Sequence, residues 1–328
     1  MNRMDRETWL KCRSQGLGGT DVAALCGLNP HKAPIDVYNG KRGLIGEDTQ
    51  NAAMTWGLRE EPIIAEHYAD LHGVKLVEPG FMVHPSHSWI VGTPDRLIDK
   101  TKKGLEIKTA NSRVAHLWGD DGTDEVPDAY LIQCEWYMIL TGYPVWDLAV
   151  KIDSADYREY TIPENPALQK RLIEIAGDFW YNNILAGVPP EPDGSEQYVK
   201  YVQAAYPKDT GKMIAETPQL RELAMRYTIA RTDFDVAAAK KEELENLIKS
   251  IIGEASGIEG DGWKATWKKT KDSVKTDYAI ALDKLADHGV DPLVIKQVLT
   301  EARFTAPGYR RFYFKSSFEA ESTGDRAA

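Results

Sequence analysis

The chain has 328 residues, 42% of them hydrophobic, enough for a buried core and a smaller appendage. No run approaches the roughly 18 consecutive apolar residues of a membrane helix, and Met1 to Gly16 is too polar for a signal peptide, so a soluble, cytoplasmic protein with no membrane partner is expected. A net charge of -10, from 40 Lys+Arg against 50 Asp+Glu, argues against a protein that coats nucleic acid over a broad surface and leaves room for a local basic groove on an acidic body.

In chain order, Trp9 to Arg13 leads into the glycine-rich run Gly16-Leu17-Gly18-Gly19-Thr20-Asp21, and Val22 to Leu25 reads as a short helix. A longer helix is predicted from about Thr49 to Gly73, with Trp56, Ile63, Ile64, Tyr68 and Leu71 on its buried side. The pattern then shortens to strands at Val74 to Val77, Phe81 to Val83, Trp89 to Val91, Arg96 to Ile98 and Leu105 to Thr109, with Asp99 to Gly104 as a hairpin turn. Ala129 to Leu140 reads as a helix, Trp146 to Ile152 and Arg158 to Ile162 as strands, and Asn165 to Leu185 as another helix. This order predicts an α/β (α+β) fold, one mixed central sheet flanked by helices.

The run from Gly187 to Gly194 has the composition of a boundary, so the expected domains are residues 1–188 and 189–328. In the second, Thr217-Pro218 starts a helix whose Leu220, Leu223, Tyr227, Ala230, Phe234, Ala237, Leu244, Ile248 and Ile251 keep a three-four spacing up to Gly253, broken only by Lys241. Such a helix, about 50 Å long at 1.5 Å per residue, should pack on another helix of this chain or a neighbour. Trp263 to Lys268 and Tyr309 to Phe314 alternate like strands, Asp277 to Ala286 and Pro292 to Ala302 read as helices between them, and Glu319 to Ala328 reads as a disordered tail.

The chemistry concentrates in Glu106-Ile107-Lys108. Strand period places Glu106 and Lys108 on one face and Leu105 and Ile107 on the other. Gly92-Thr93-Pro94-Asp95 sets a second acid where a hairpin can bring it beside Glu106, forming an oxygen-donor pocket for a hard divalent cation such as magnesium. Lys108 could deprotonate water or stabilise the charged transition state. A Glu-x-Lys pair alone is ordinary surface pairing on most strands; the apolar strand and the Gly-Thr-Pro-Asp turn raise its weight. The glycine run could hold a phosphate at a helix start or simply make a tight turn.

With these residues in order, the sequence resembles the lambda-exonuclease-like, YqaJ-type viral recombinase nucleases of the PD-(D/E)xK superfamily, over about Trp9 to Ile152 and more weakly through Trp263 to Phe314. The resemblance implies a restriction-endonuclease-like core in residues 1–188, with a C-terminal helical and small-sheet extension. It also implies that Arg13 and Thr20 hold a DNA phosphate, and that Trp56-Gly57 with Glu61 supplies an extra metal-site acid. Asp95 and Glu106, with Glu61 and the Ile107 carbonyl, would hold Mg2+, with Mn2+ as a substitute. Lys108 and Gln133, the latter from Ala129-Tyr130-Leu131-Ile132-Gln133, would position water and phosphate. Of the adjoining Glu60 and Glu61, motif alignment selects Glu61. Two positions depart from the pattern: Glu135 stands where relatives carry a second glutamine, and Thr20 stands for the commoner serine.

The implied activity is a Mg2+-dependent exonuclease on double-stranded DNA, running 5′ to 3′, encoded by phage or prophage. Its implied partners are a single-strand annealing protein and further copies of itself. A structure-specific endonuclease could use the same site, and a non-catalytic DNA-binding or assembly factor would make the long helix the working part. His67, His72, His84 and His87 have no zinc-site spacing, and Cys12, Cys26 and Cys134 can neither form a zinc ribbon or disulfide frame nor complete a four-cysteine iron-sulfur site. Trp263, Trp267, Lys264, Lys268, Lys269, Lys271, Arg310, Arg311 and Lys315 make the C-terminal region basic and aromatic, suited either to DNA strands or to a small sheet with a tryptophan core.

Overall fold

The computed structural model describes residues 5–44, 52–261, 263–271 and 277–303. The expected helix start at Thr49, the strand Tyr309 to Phe314 with Arg310, Arg311 and Lys315, and the tail from Glu319 lie outside them.

The chain divides into two compact units, Met1–Ala205 and Tyr206–Ala328. The first begins with helices α1 (Arg6–Ser14), α2 (Gly19–Leu25), α3 (Pro34–Arg42) and α4 (Ala52–His72). Strands β1 (Leu76–Val77), β2 (Met82–Val83), β3 (Val91–Gly92), β4 (Arg96–Ile98) and β5 (Lys103–Ala110) follow. Next come α5 (Asp128–Thr141), β6 (Val145–Ile152), β7 (Asp156–Pro163), α6 (Pro166–Phe179) and α7 (Glu196–Ala205). The main sheet has five strands in the order β1-β4-β5-β6-β7, and β2 with β3 forms a separate two-stranded ribbon. Only β5 and β6 run parallel, because α5 crosses over between them; the other neighbours are antiparallel.

The sheet is covered on both faces. On one lies α4, whose Ile64, Ala65 and Tyr68 pack on Ile98, Leu105, Ile107 and Ala149. The other carries α5, buried continuously from Ile132 to Leu140, with α2 and α6 around it. A helix apolar on nearly all sides belongs in such a core. Leu105 and Ile107 thus face α4, and Glu106 and Lys108 face α5, as strand alternation requires. Among the described residues no helix is long and apolar enough to cross a membrane.

Two expectations differ from the structure. Trp56, Ile63 and Leu71 are exposed, because α4 meets the sheet along the narrow line Ile64-Ala65-Tyr68. Trp56 instead lies against the Arg59 guanidinium, 5.3 Å from its ring centroid and within the cation–π reach of about 6 Å. The segment after Gly187 is pinned rather than free: Tyr38 Oη donates to the Gly187 carbonyl at 2.8 Å, and Tyr198 and Tyr201 of α7 pack on the core. The first unit therefore runs to Ala205, beyond the expected border at 188. Helices α1, α3 and α7, of nine, nine and ten residues, complete it.

In the second unit, α8 (Pro218–Ile252) is a single 35-residue helix, capped by the Thr217 side chain on Leu220 N and ended at Gly253. Strand β9 (Trp263–Thr266) pairs with β8 (Gly257–Gly260), and helices α9 (Tyr278–Asp287) and α10 (Pro292–Glu301) follow. Trp263 and Trp267 are exposed and do not form a tryptophan core among the described residues.

Candidate active site

Asp95 enters from the turn between β3 and β4, and its Oδ2 accepts the backbone N–H of Ile107 at 2.9 Å. The antiparallel pairing of Arg96 with Leu105 places it there. Glu106, one residue before Ile107, is only 1% exposed. Its Oε1 accepts from Gln133 Nε2 of α5 at 2.6 Å and pairs with Lys108 Nζ, while its Oε2 is buried without a hydrogen-bond partner. Asp95, Glu106, Lys108 and Gln133 thus converge between the β5 strand and α5. Lys108 also lies 5.0 Å from the centroid of the Tyr130 ring, which is stacked on Trp118.

The electrostatics follow from burial. Burial, then repulsion by Glu106, pushes the Asp95 carboxyl well above the usual aspartate range, with Lys108 acting in the opposite direction. Burial also raises Glu106, against the opposing pull of Lys108. Burial alone would lower Lys108; the Glu106 and Asp95 carboxylates outweigh it and hold the ammonium above the ordinary lysine range. Two neighbouring buried carboxylates cannot both ionise cheaply without added positive charge. An all-oxygen donor set with an unpartnered inward carboxylate oxygen fits a hard divalent cation.

Glu61 is engaged by a neighbouring arginine. Its Oε1 accepts from Arg96 Nη1 at 2.7 Å, and among the described residues no group of three or more His, Cys, Asp or Glu side chains is arranged to hold a metal. It remains close enough to raise both carboxyls by repulsion. Glu60 pairs with Lys151 at 3.1 Å.

The glycine-rich run makes a second cluster. Trp9 and Arg13 lie on one face of α1, and the Arg13 guanidinium sits 5.0 Å from the Trp9 ring centroid and donates to Thr20 Oγ1 at 3.2 Å. Together with Gly18, Gly19, Phe81 and Thr93 they line a cavity of about 150 Å³. Tyr137 on its wall accepts from Gln133 Nε2 at 3.1 Å, so the cavity and the carboxylates share a glutamine. The glycines serve close approach: a Cβ on Gly19 would stand 2.9 Å from Gln133 Cγ, and one on Gly16 2.6 Å from the Trp89 carbonyl oxygen.

Beneath the cavity lies a group that the sequence did not disclose. Asp21 is fully buried, with Lys32 Nζ at 2.6 Å, Lys41 Nζ at 2.8 Å and an Arg13 nitrogen at 4.0 Å. Burial opposes its ionisation, but Lys41, Lys32 and Arg13 together hold its carboxyl well below the usual range. Three cations around one anion leave a locally basic site on an acidic chain. The lysines come from the loop before α3 and from α3 itself, a segment with no motif. Trp9, four residues before Arg13, was detectable as a helix-face partner.

Glu135 explains one departure from the family pattern. It points away from the carboxylates, accepting the Asn165 N–H at 3.0 Å and Gln169 Nε2 at 2.9 Å, so it ties α5 to the start of α6. The histidines are scattered: His72 pairs with Glu159 at 2.7 Å, His67 meets Tyr157 edge-on, and His84 stacks on His87.

Residues 8–144 match the model of the YqaJ-like viral recombinase domain family. The chain is 28% identical over 320 residues to the protein YqaJ of Bacillus subtilis (strain 168), covering 96% of this chain and 95% of that one. It is also 28% identical over 170 residues to protein R354 of Acanthamoeba polyphaga mimivirus, covering 48% of this chain and 31% of that one. Among solved structures it is similar to an alkaline exonuclease from Laribacter hongkongensis, with 22% identity, a TM-score of 0.46, and coverage of 61% of this chain and 98% of that one.

Proposed function

We propose that the chain, whose residues 8–144 match the model of the YqaJ-like viral recombinase domain family, is a magnesium-dependent deoxyribonuclease, an exonuclease that degrades duplex DNA from 5′ ends and serves a phage-type recombination system. The observation that carries this reading is the buried pair Asp95 and Glu106, with Lys108 and Gln133 gathered on one Glu106 oxygen and the other oxygen unpartnered. A structural ion pair has no use for a second buried carboxyl; a cation site does.

In this reading Asp95 and Glu106, joined by the Ile107 carbonyl, would hold Mg2+, or Mn2+ in its place. When bound, the ion neutralises charge developing on the phosphate and acidifies water. Glu61 keeps Arg96 in position and acts on the site through its charge. Lys108, an ammonium fixed against Glu106, orients the attacking water and faces the charge that grows on the phosphate oxygens, so the geometry favours charge stabilisation over proton removal. Gln133 holds Glu106 and, through Tyr137, keeps the neighbouring cavity in register with it. Water oxygen attacks phosphorus, the P–O3′ bond breaks, and the departing 3′ oxygen takes up the proton that the water gives up.

Arg13 and Thr20 clamp the terminal 5′ phosphate, with the Arg13 ion pairing and hydrogen bonding typical of phosphate sites. Asp21 with Lys32 and Lys41 supports that clamp from below. The acidic total charge then limits binding to this groove, and the annealing partner receives the exposed strand.

Incubation with linear and covalently closed circular duplexes, with Mg2+ and with chelator, tests the proposal. The linear duplex is expected to shorten from its ends only with the metal, while the circle survives. Nicking or linearising the circle would make the enzyme an endonuclease, and cutting of neither would make it a binding factor.

A further inference from the structure

The long helix α8 carries ten stripe positions at strict three-four spacing, from Leu220 to Ile251, and its large apolar members are all exposed. Strict alternation of three and four over more than four heptads is the pattern of a two-stranded coiled-coil seam. Leaving it in water costs apolar burial along a helix about 50 Å long. We propose that α8 pairs with α8 of a second copy of this chain as an antiparallel two-stranded coiled coil centred between Phe234 and Ala237.

The choice of occupant and direction rests on complementarity within the stripe. Written as heptads with Leu220 at a, antiparallel pairs match an a residue with a d residue of the other copy. In the centred register every layer then has a sensible partner: Phe234 opposes Ala237, and the bulkier ends Leu220 and Ile251 oppose each other. Lys241, the one polar break, opposes the small Ala230, leaving its stem room to run past the alanine and its ammonium to reach water. A parallel pair would instead set Lys241 against Lys241 and Phe234 against Phe234.

Flanking charges agree. Antiparallel pairing places Asp233 at g beside Lys240 of the second copy, twice by symmetry, with no like-charge contact. Parallel pairing gains Lys240 beside Glu245 of the second copy but sets Arg226 against Arg231, each twice, so its repulsion cancels its attraction. Within its own helix Lys240 pairs with Glu243 in an exposed contact at 2.9 Å, which is weak enough to exchange. A self-complementary seam of this kind describes an isologous twofold interface.

Sedimentation of the full-length chain across micromolar concentrations tests the proposal. A concentration-dependent dimer is expected. Phe234→Glu should raise its dissociation constant at least about a hundredfold, since a charge would face the seam twice. Asp233→Lys and Lys240→Asp should each weaken the dimer about tenfold, and the double exchange should restore it to within about threefold. All three positions are on the exposed helix surface, and far-UV circular dichroism checks that α8 persists. If Phe234→Glu misfolds, the two charge variants and their combination still decide. A monomer at all concentrations, a dimer indifferent to these substitutions, or a double exchange that does not restore it overturns the proposal.

Discussion

Replacing Asp21 with Asn isolates the group that supports the phosphate clamp. Asparagine keeps the shape and an oxygen to accept the Gly18 N–H, which Asp21 now accepts at 3.0 Å. What disappears is the charge 2.8 Å from Lys41, a side chain only 6% exposed, and 2.6 Å from Lys32. Removing one partner of a buried ion pair costs about 3–5 kcal/mol, because the other charge stays desolvated. Lys41 can relieve part of this by losing its proton, since burial already lowers its pKa and Asp21 counteracts that. The expected loss is therefore near the lower end, about 3 kcal/mol.

Urea unfolding at a series of pH values reads it. Asp21 is depressed in the folded chain, so its contribution is present above the ordinary aspartate pKa of about 3.9 and disappears as the pH falls through its lower folded value. The gap between parent and variant should be widest near pH 5 and narrow below about 4. It should also narrow towards about pH 10, where Lys41 becomes neutral in both the folded and unfolded variant. A gap under about 1 kcal/mol at pH 7, or one that widens in acid, would refute the reasoning.

Further variants probe other contacts. Gly19→Ala should force α2 away from α5, because the new methyl would lie 2.9 Å from Gln133 Cγ and 3.1 Å from its Cα, costing about 1–3 kcal/mol of stability and reducing the cleavage rate about tenfold; urea unfolding and single-turnover rates check it. Arg13→Ala should abolish any preference for 5′-phosphorylated over 5′-hydroxyl ends in competition assays, while the parent should favour the phosphate by about tenfold or more. Tyr68→Phe removes a buried hydrogen bond to Asp147, which keeps Lys103 and Thr161 at 2.7 Å each. Calorimetric unfolding should show a loss of about 1–2 kcal/mol, with cleavage unchanged because Tyr68 lies on the α4 side of the sheet.

The parts legible in the sequence were those coded locally. Alternation in Leu105 to Thr109 assigned Glu106 and Lys108 to one face, and the hairpin length from Asp95 allowed the backbone contact with Ile107. The apolar run from Ile132 to Leu140 announced a buried helix, though only the family motif singled out Gln133 from it. The parts not legible depend on distant pairing. Lys32 and Lys41 carry no pattern connecting them to Asp21, and their meeting results from how α3 packs beside α2. The α4 face was misread because apolar residues at Trp56, Ile63 and Leu71 extend its stripe beyond the strip that the sheet covers. Gly187 to Gly194 has linker composition, yet Tyr38 and α7 fasten it to the core.

Calorimetric titration of Mg2+ into the parent chain and into Asp95→Asn and Glu106→Gln addresses the catalytic assignment most directly. Both variants keep size and fold while removing one anionic donor, so magnesium uptake and metal-dependent cleavage of linear duplex should fall together, each by about a hundredfold or more. Undiminished magnesium uptake with unchanged cleavage in either variant would contradict the account.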